Sequence, residues 1–167
     1  MKEIGNGFEF RKASLEDSDL VESIILEGLN SGGDFFLPLL PTKHNAKVFF
    51  ATEIRHLIIN QDPCFLAFKD GSAAGFSCCS TGINTAYELS KPIALGCITI
   101  TREKFRRMGL ANFLRVEMLK DLKSKGIKFV LSDIATSNLA SETGCKRIAK
   151  ENSLNFKEIS IKYECEI

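Results

Sequence analysis

The chain of 167 residues carries 22 basic and 21 acidic side chains, a formal net charge of +1, with 44% hydrophobic and 26% charged residues. That length suits one domain, residues 1–167, with a proper core and is short for two, and the near-even charge argues against a nucleic-acid partner. Its apolar runs fall far below a membrane span, and Met1-Lys2-Glu3-Ile4-Gly5 lacks the shape of a signal peptide, so no membrane partner and a cytoplasmic location are expected.

Phe8 and Phe10 alternate with Glu9 and Arg11, the pattern of a short half-buried strand. Ser14-Leu15-Glu16-Asp17 follows as a capping signal. The helix it opens places Leu20, Val21, Ile24, Ile25 and Leu29 on one stripe and ends near Gly28 to Gly33. Gly32 to Pro41 holds two glycines and two prolines, which exclude a regular helix or a central strand. Phe35, Phe36, Leu37, Leu39 and Leu40 make it a loop packed on the core, the wall of a pocket, or both. Thr42 or Asn45 caps a second helix whose buried stripe is Ala46, Phe49, Phe50, Ile54, Leu57 and Ile58. His44 borders the apolar loop and is the better placed of the two histidines for proton transfer, whereas His56 reads as a surface residue.

Cys64 to Phe68 and Ala73 to Cys79 are apolar runs joined by Lys69-Asp70-Gly71-Ser72, a hairpin signal. Gly75 within the second run marks a bulge or a close backbone approach. Residues 81–92 form a longer connection in which Asn84, Tyr87 and Glu88 could reach a substrate. The six cysteines form no C-x-x-C pair, and four sit in apolar strand-like runs, as small buried hydrophobes in a reducing compartment do. With the two histidines far from any clustered thiols, no metal site is expected.

The stretch that organises the chain begins with the strand Ile93 to Thr101 and ends in a helix with Leu110, Phe113, Leu114, Met118 and Leu122 on its apolar face. Asn112, Arg115, Lys120 and Lys123 fall largely on the other face. Between strand and helix, Arg102 to Met108 is basic, and Gly109 and Ala111 open the helix without bulk. Free N–H groups, a partial positive charge and two arginines suit a pyrophosphate-sized anion; a solvated basic turn is the alternative. Ile127 to Ile134 is the next strand, parallel to the first through a crossover helix, so Thr101 and Asp133 lie at one end of the sheet. Ser137 or Ser141 caps a last helix holding Cys145, Ile148 and Ala149.

Arg106-Arg107-Met108-Gly109-Leu110-Ala111 resembles Arg/Gln-x-x-Gly-x-Gly/Ala, the acyl-CoA pyrophosphate loop of the GNAT superfamily of N-acyltransferases. The order of elements from about Phe8 onwards is similar too, and Leu131-Ser132-Asp133-Ile134 with Asn138 resembles the family's fifth strand and the Asn after it. The resemblance implies an α/β fold with a central mixed sheet and helices on both faces. It implies acetyl transfer from acetyl-CoA to a small-molecule or peptide amine, without metal. It implies that Arg106, Arg107, Met108, Gly109, Leu110 and Ala111 cradle CoA, that the backbone near Ile100 and Thr101 binds pantetheine and the thioester, and that Asn138 contacts the CoA arm. The loop from Gly32 to Pro41 would line the acceptor pocket. Asn138 also reads as a turn or helix cap.

Asp133 and Glu103 are the candidates for the base, alongside ordered water. Many relatives carry a Tyr seven residues after the Asn; here that position is Cys145, and counting back from Asn155-Phe156 reaches Glu151 instead. No Tyr occurs between 88 and 162, so the thiolate leaves unaided or Cys145 assists it. A non-catalytic acyl-CoA-binding module and a nucleotide-phosphate binder are the competing functions. Finally, Glu158 to Ile167 alternates strictly and predicts one long terminal strand. Its edge must be bent away, covered, or paired in a symmetric homodimer, which is the preferred outcome.

Overall fold

Successive residues of a strand face opposite sides of a sheet, and this chain uses both sides. The computed structural model describes residues 2–4, 7–30, 42–83, 92–132, 134 and 138–155. Strands β1 (Lys2–Ile4), β2 (Phe8–Lys12), β3 (Cys64–Lys69), β4 (Ser72–Ile83), β5 (Pro92–Thr101) and β6 (Phe129–Leu131) form a six-stranded sheet in sequence order. Neighbours are antiparallel except β5 and β6, which are parallel. The helices are α1 (Ser18–Asn30), α2 (Lys43–Phe49), α3 (Arg55–Ile59), α4 (Leu110–Ser124) and α5 (Leu139–Glu151).

Leu66, Phe76, Cys78 and Ile100 meet Val21, Ile24 and Ile25 of α1 and Ala46, Phe50, Ile54 and Leu57 on one face. Their strand neighbours Phe65, Ala67 and Cys79, with Phe8, Phe10 and Ala94, meet Leu110, Leu114, Met118 and Leu122 of α4 on the other. Each fully buried Leu or Ile contributes about 1.5–3 kcal/mol by leaving water. The expected mixed sheet with helices on both faces is therefore present.

Several local signals act as expected. Thr42 caps α2 by accepting the Asn45 N–H at 3.1 Å. Asp70 and Gly71 both have positive φ, 50° and 73°, as a two-residue hairpin turn requires. Between α2 and α3 the chain widens into a π-helical turn, Phe50–Ile54, a feature with no sequence signature of its own. Strand β1 was not anticipated, because three residues carry no readable alternation. The strand expected over 127–134 is shorter, Phe129–Leu131, since β6 pairs with β5 only through Ile93, Ala94 and Leu95. The terminal strand expected over 158–167, and the homodimer built on it, lie outside the described residues, as do Asn84, Tyr87 and Glu88.

Gly75 answers to both of its readings. The β3–β4 register shifts beside it, and a Cβ there would lie 2.8 Å from the Ile100 carbonyl oxygen and 3.3 Å from Leu110 Cδ2. Gly75→Ala should therefore cost about 2 kcal/mol or more, because rigid backbone has to move. Gly82→Ala, with nothing within 4 Å of its Cβ, should stay within about 0.5 kcal/mol. Chemical denaturation of the two variants measures the contrast.

Asp17 anchors the entry to α1. Its carboxylate accepts two hydrogen bonds from Arg11 at 2.7 Å, plus the Ser14 N–H at 2.8 Å and hydroxyl at 3.0 Å. The Arg11 guanidinium, helped by Ser14 and opposed by burial, holds the Asp17 carboxyl down to about 2. A carboxyl lowered on folding stabilises the native state above its unfolded value near 3.8, and that stabilisation is lost as pH falls through about 2. Arg11 is partly exposed, so the screened contribution is about 1–2 kcal/mol. Asp17→Asn should destabilise by that amount at pH 7, and the difference from wild type should shrink between pH 4 and pH 2 in urea titrations.

Candidate functional site

β5 is held unequally by its two neighbours. It pairs with β4 along its length except where Cys79 stands opposite two residues, Gly96 and Cys97, so β5 bulges there. The buried Ser77 hydroxyl pins the far side of the bulge, donating to the Ile98 carbonyl at 3.0 Å and meeting Thr99 Oγ1 at 2.9 Å. On the β6 side, pairing stops at Leu95 and Leu131. From Gly96 to Thr101 that edge of β5 has no strand partner among the described residues. The two parallel strands thus part company toward their carboxyl ends.

The stretch after β5 makes a 3₁₀ turn, Glu103–Phe105, and then two left-handed residues, Arg107 (φ 62°) and Gly109 (φ 82°). Gly109 is the N-cap of α4 and has no side chain to cap it, so the first N–H groups of that helix are open. A Cβ on Gly109 would meet nothing within 4 Å; the dihedral, not crowding, calls for glycine. Arg107 tolerates a conformation that costs a non-glycine residue about 1 kcal/mol or more.

A cavity of about 370 Å³ opens at this helix end, and Thr101, Arg106, Arg107, Gly109, Leu110 and Ala111 line it. Phe105, Asn112 and Arg147 complete the wall, which among the described residues holds three arginines and no carboxylate. The Thr101 hydroxyl is buried without a hydrogen-bond partner among the described residues. A second cavity of about 370 Å³ adjoins through Asn112 and Arg147 and runs along α5 past Leu139, Thr143 and Gly144.

α5 reaches this place through polar contacts. Arg115 donates to Ser141 Oγ at 2.7 Å, and Gly144 lets Asn112 approach: a Cβ there would lie 2.8 Å from Asn112 Oδ1 and 3.0 Å from Arg115 Nη1. Asn112 and Arg115, expected on a largely solvated face, are the seat of α5. Asn138 caps that helix in place of Ser137 or Ser141, its side chain accepting the Ser141 N–H at 3.1 Å.

Of the residues singled out in the sequence, Thr101, Arg106, Arg107, Gly109, Leu110 and Ala111 converge on one cavity. Ile100 and Met108 do not line it; Ile100 is buried against α1, and Met108 packs against the α4 core. Glu103 is exposed in the 3₁₀ turn, and Cys145 is a half-buried free thiol on α5 outside both cavity walls. Asp133 and the loop from Gly32 to Pro41 lie outside the described residues, and His44 is exposed in the first turn of α2. Sequence reasoning missed Arg147, although Ala140, Thr143, Gly144 and Arg147 follow i, i+3, i+4, i+7 spacing and mark a helix face of small residues ending in a cation. Among the described residues no group of His, Cys, Asp and Glu could hold a metal ion, and no helix is long and apolar enough to cross a membrane.

The fold is that of the GNAT N-acetyltransferases, as the resemblance implied. No protein-family model matches the chain, and no curated protein matches it in sequence. Among solved structures it is similar to an N-acetyltransferase from Staphylococcus aureus Mu50, at 21% identity over 84% of this chain and 81% of that one, with a TM-score of 0.67. It is similar to a predicted acetyltransferase with acetyl-CoA from Clostridium acetobutylicum, at 12% identity over 94% and 96% of the two chains and a TM-score of 0.64. An aminoglycoside acetyltransferase from an uncultured soil metagenomic sample, in complex with trehalose, aligns at 16% identity over 98% and 100%, with a TM-score of 0.61.

The α4–α5 seat leads to a direct expectation. Gly144→Ala should push α5 away from Asn112 and Arg115 and lower stability by about 1–2 kcal/mol. Binding of inorganic pyrophosphate should weaken with it, because Arg147 moves on the same helix. Titration calorimetry on Gly144→Ala and on Arg147→Ala checks that the two variants lose binding in common.

Proposed function

We propose that the chain is an N-acetyltransferase that moves an acetyl group from acetyl-CoA to a primary amine, acting as one domain over residues 1–167 in the cytoplasm. The observation that carries this reading is a cavity with three arginines at the open N-terminus of α4, next to an edge of β5 that has no strand partner among the described residues. Arg106, Arg107, Arg147 and the backbone from Gly109 to Ala111 would hold the pyrophosphate. Backbone groups near Ile100 and Thr101 would hold the pantetheine arm and the thioester carbonyl. Asn138 would touch the same arm through the part of its amide left free by the cap.

The amine attacks the thioester carbonyl, the new N–C bond forms and the C–S bond breaks. The amine proton passes to Asp133, to Glu103 or to water, and the departing thiolate takes a proton from water or from Cys145. This chemistry requires no metal. A neighbour of this fold that acts on aminoglycosides supports a small-molecule amine as acceptor, with a peptide amine as the other class. The absence of Tyr between 88 and 162 favours a second reading, a non-catalytic acyl-CoA-binding module.

Free-thiol release from acetyl-CoA, measured against aminoglycosides, amino sugars and peptide amines, separates the two. Release with any acceptor supports the enzyme, whereas tight CoA binding with no turnover on any amine supports the binding module. Gly109→Val forces a β-branched residue to φ near 82° and should raise the KM for acetyl-CoA about tenfold or more. Lys123→Ala, on an exposed position of α4, should leave it within about twofold.

A further inference from the structure

Glu27 lies on α1, in a helix of the opposite layer from α4, and lines neither cavity. Its two carboxylate oxygens both reach the strand end that leads into the arginine loop. Oε1 accepts the backbone N–H of Glu103 at 2.6 Å, and Oε2 faces Arg102 Nη1 at 3.4 Å. Arg102 Nη2 donates to the hydroxyl of Ser23, which sits one turn before Glu27 on α1. The Arg102 N–H is itself tied to the Ala74 carbonyl at 3.0 Å, so the clasp joins α1, β4 and the end of β5.

What the clasp fixes is the 3₁₀ turn. Arg102 is the N-cap of that turn and provides no side-chain cap, so the Glu103 N–H would be one of its orphan donors. Glu27 caps it from across the fold. The turn then hands its geometry on: Phe105 N–H bonds the Arg102 carbonyl at 2.9 Å, and Arg106 N–H bonds the Glu103 carbonyl at 3.1 Å. Arg106 and Arg107 follow without a break. Glu27 and Arg102 side chains are 31% and 23% exposed and both carry charge, so their bonds are charge-assisted at a partly solvated place.

Resting on the acetyltransferase reading, we propose that Glu27 is a positioning residue for the acyl donor. It sets the arginine loop from α1, so that donor affinity depends on a carboxylate that never touches the donor.

The test uses the full chain and three variants. Glu27→Ala removes the acceptor for the Glu103 N–H, Glu27→Gln keeps a carbonyl there, and Ile25→Val perturbs the buried face of α1 without touching the clasp. In Glu27→Ala, hydrogen exchange of the Glu103 amide should speed up about tenfold, and the dissociation constant for acetyl-CoA should rise about tenfold, the loss of one charged hydrogen bond. Glu27→Gln should stay within about threefold on both measures, and Ile25→Val should change neither. Where Glu27→Ala does not fold, Glu27→Asp, whose carboxylate falls one methylene short, carries the same expectation. Unchanged donor affinity in Glu27→Ala overturns the proposal, as does an equal loss in Ile25→Val or in Glu27→Gln. If wild type binds no acetyl-CoA, the functional reading fails; amide exchange and pyrophosphate affinity then decide the positioning role, and no change in Glu27→Ala overturns it.

Discussion

The unequal pairing of β5 is the constraint on which the rest of the site depends. A backbone N–H or C=O withdrawn from water has to be matched, and the ladder to β4 matches one side of β5 almost throughout. On the other side β6 matches three residues and, among the described residues, no more. The six residues from Gly96 to Thr101 rise by about 20 Å at the usual strand increment, so the unmatched edge is long and narrow. An elongated donor with amides along its arm suits such an edge, and a compact nucleotide does not. The bulge at Gly96 and Cys97 re-aims that edge, and Ser77 keeps the bulge from sliding by holding the Ile98 carbonyl.

The helices that close the site obey different rules from those that build the core. α4 meets the sheet through Leu110, Leu114, Met118 and Leu122, and Gly75 brings it close enough for Leu110 to lie against β4. α5 meets α4 through Asn112, Arg115, Ser141 and the bare backbone of Gly144. Polar docking gains little per bond, about 0.5–1.5 kcal/mol, but its geometry is narrow. A wall made this way places Arg147 of α5 beside Arg106 and Arg107 at the cavity. Asn138, spent as the cap of α5, contributes to the same wall by fixing where the helix begins.

What could be read in the sequence was local or periodic. Gly109 and the arginines before it were legible because the charge and the missing bulk sit within six residues, whereas the left-handed dihedral that calls for Gly109 was not anticipated. Asp70-Gly71 declared its turn, and the apolar run from Cys64 to Phe68 declared a strand, which the structure buries on two faces. The length of β6 was not legible, because the β-favouring run Phe129-Val130-Leu131 has Ile127 before it and Ile134 after it, and pairing with β5 decides where the strand stops. Glu27 was invisible for a related reason: its partner is 76 positions away, and its own helix gives it no special spacing. Arg147 had a signal, the small-residue face of α5, whose meaning depends on Asn112 lying opposite.

The charge balance of the whole chain also takes on meaning from these placements. The 22 basic and 21 acidic residues nearly cancel, yet the cancellation is not uniform. Asp17 answers Arg11, Asp121 answers Lys12 and Lys125, Glu117 answers Lys120, Glu142 answers Lys146 and Glu27 answers Arg102. Arg106 and Arg107 have no carboxylate partner among the described residues, and Arg147 faces Glu151 only at 3.8 Å. Charges paired within 4 Å look nearly neutral beyond a Debye length of about 8 Å in physiological salt. Arg106, Arg107 and Arg147 stand together on one cavity wall at the N-terminus of α4, so positive charge is concentrated there whatever the net charge of the chain. A nearly neutral protein can in this way draw an anion to one place, because three guanidinium groups and an open helix N-terminus add their fields over a few ångströms.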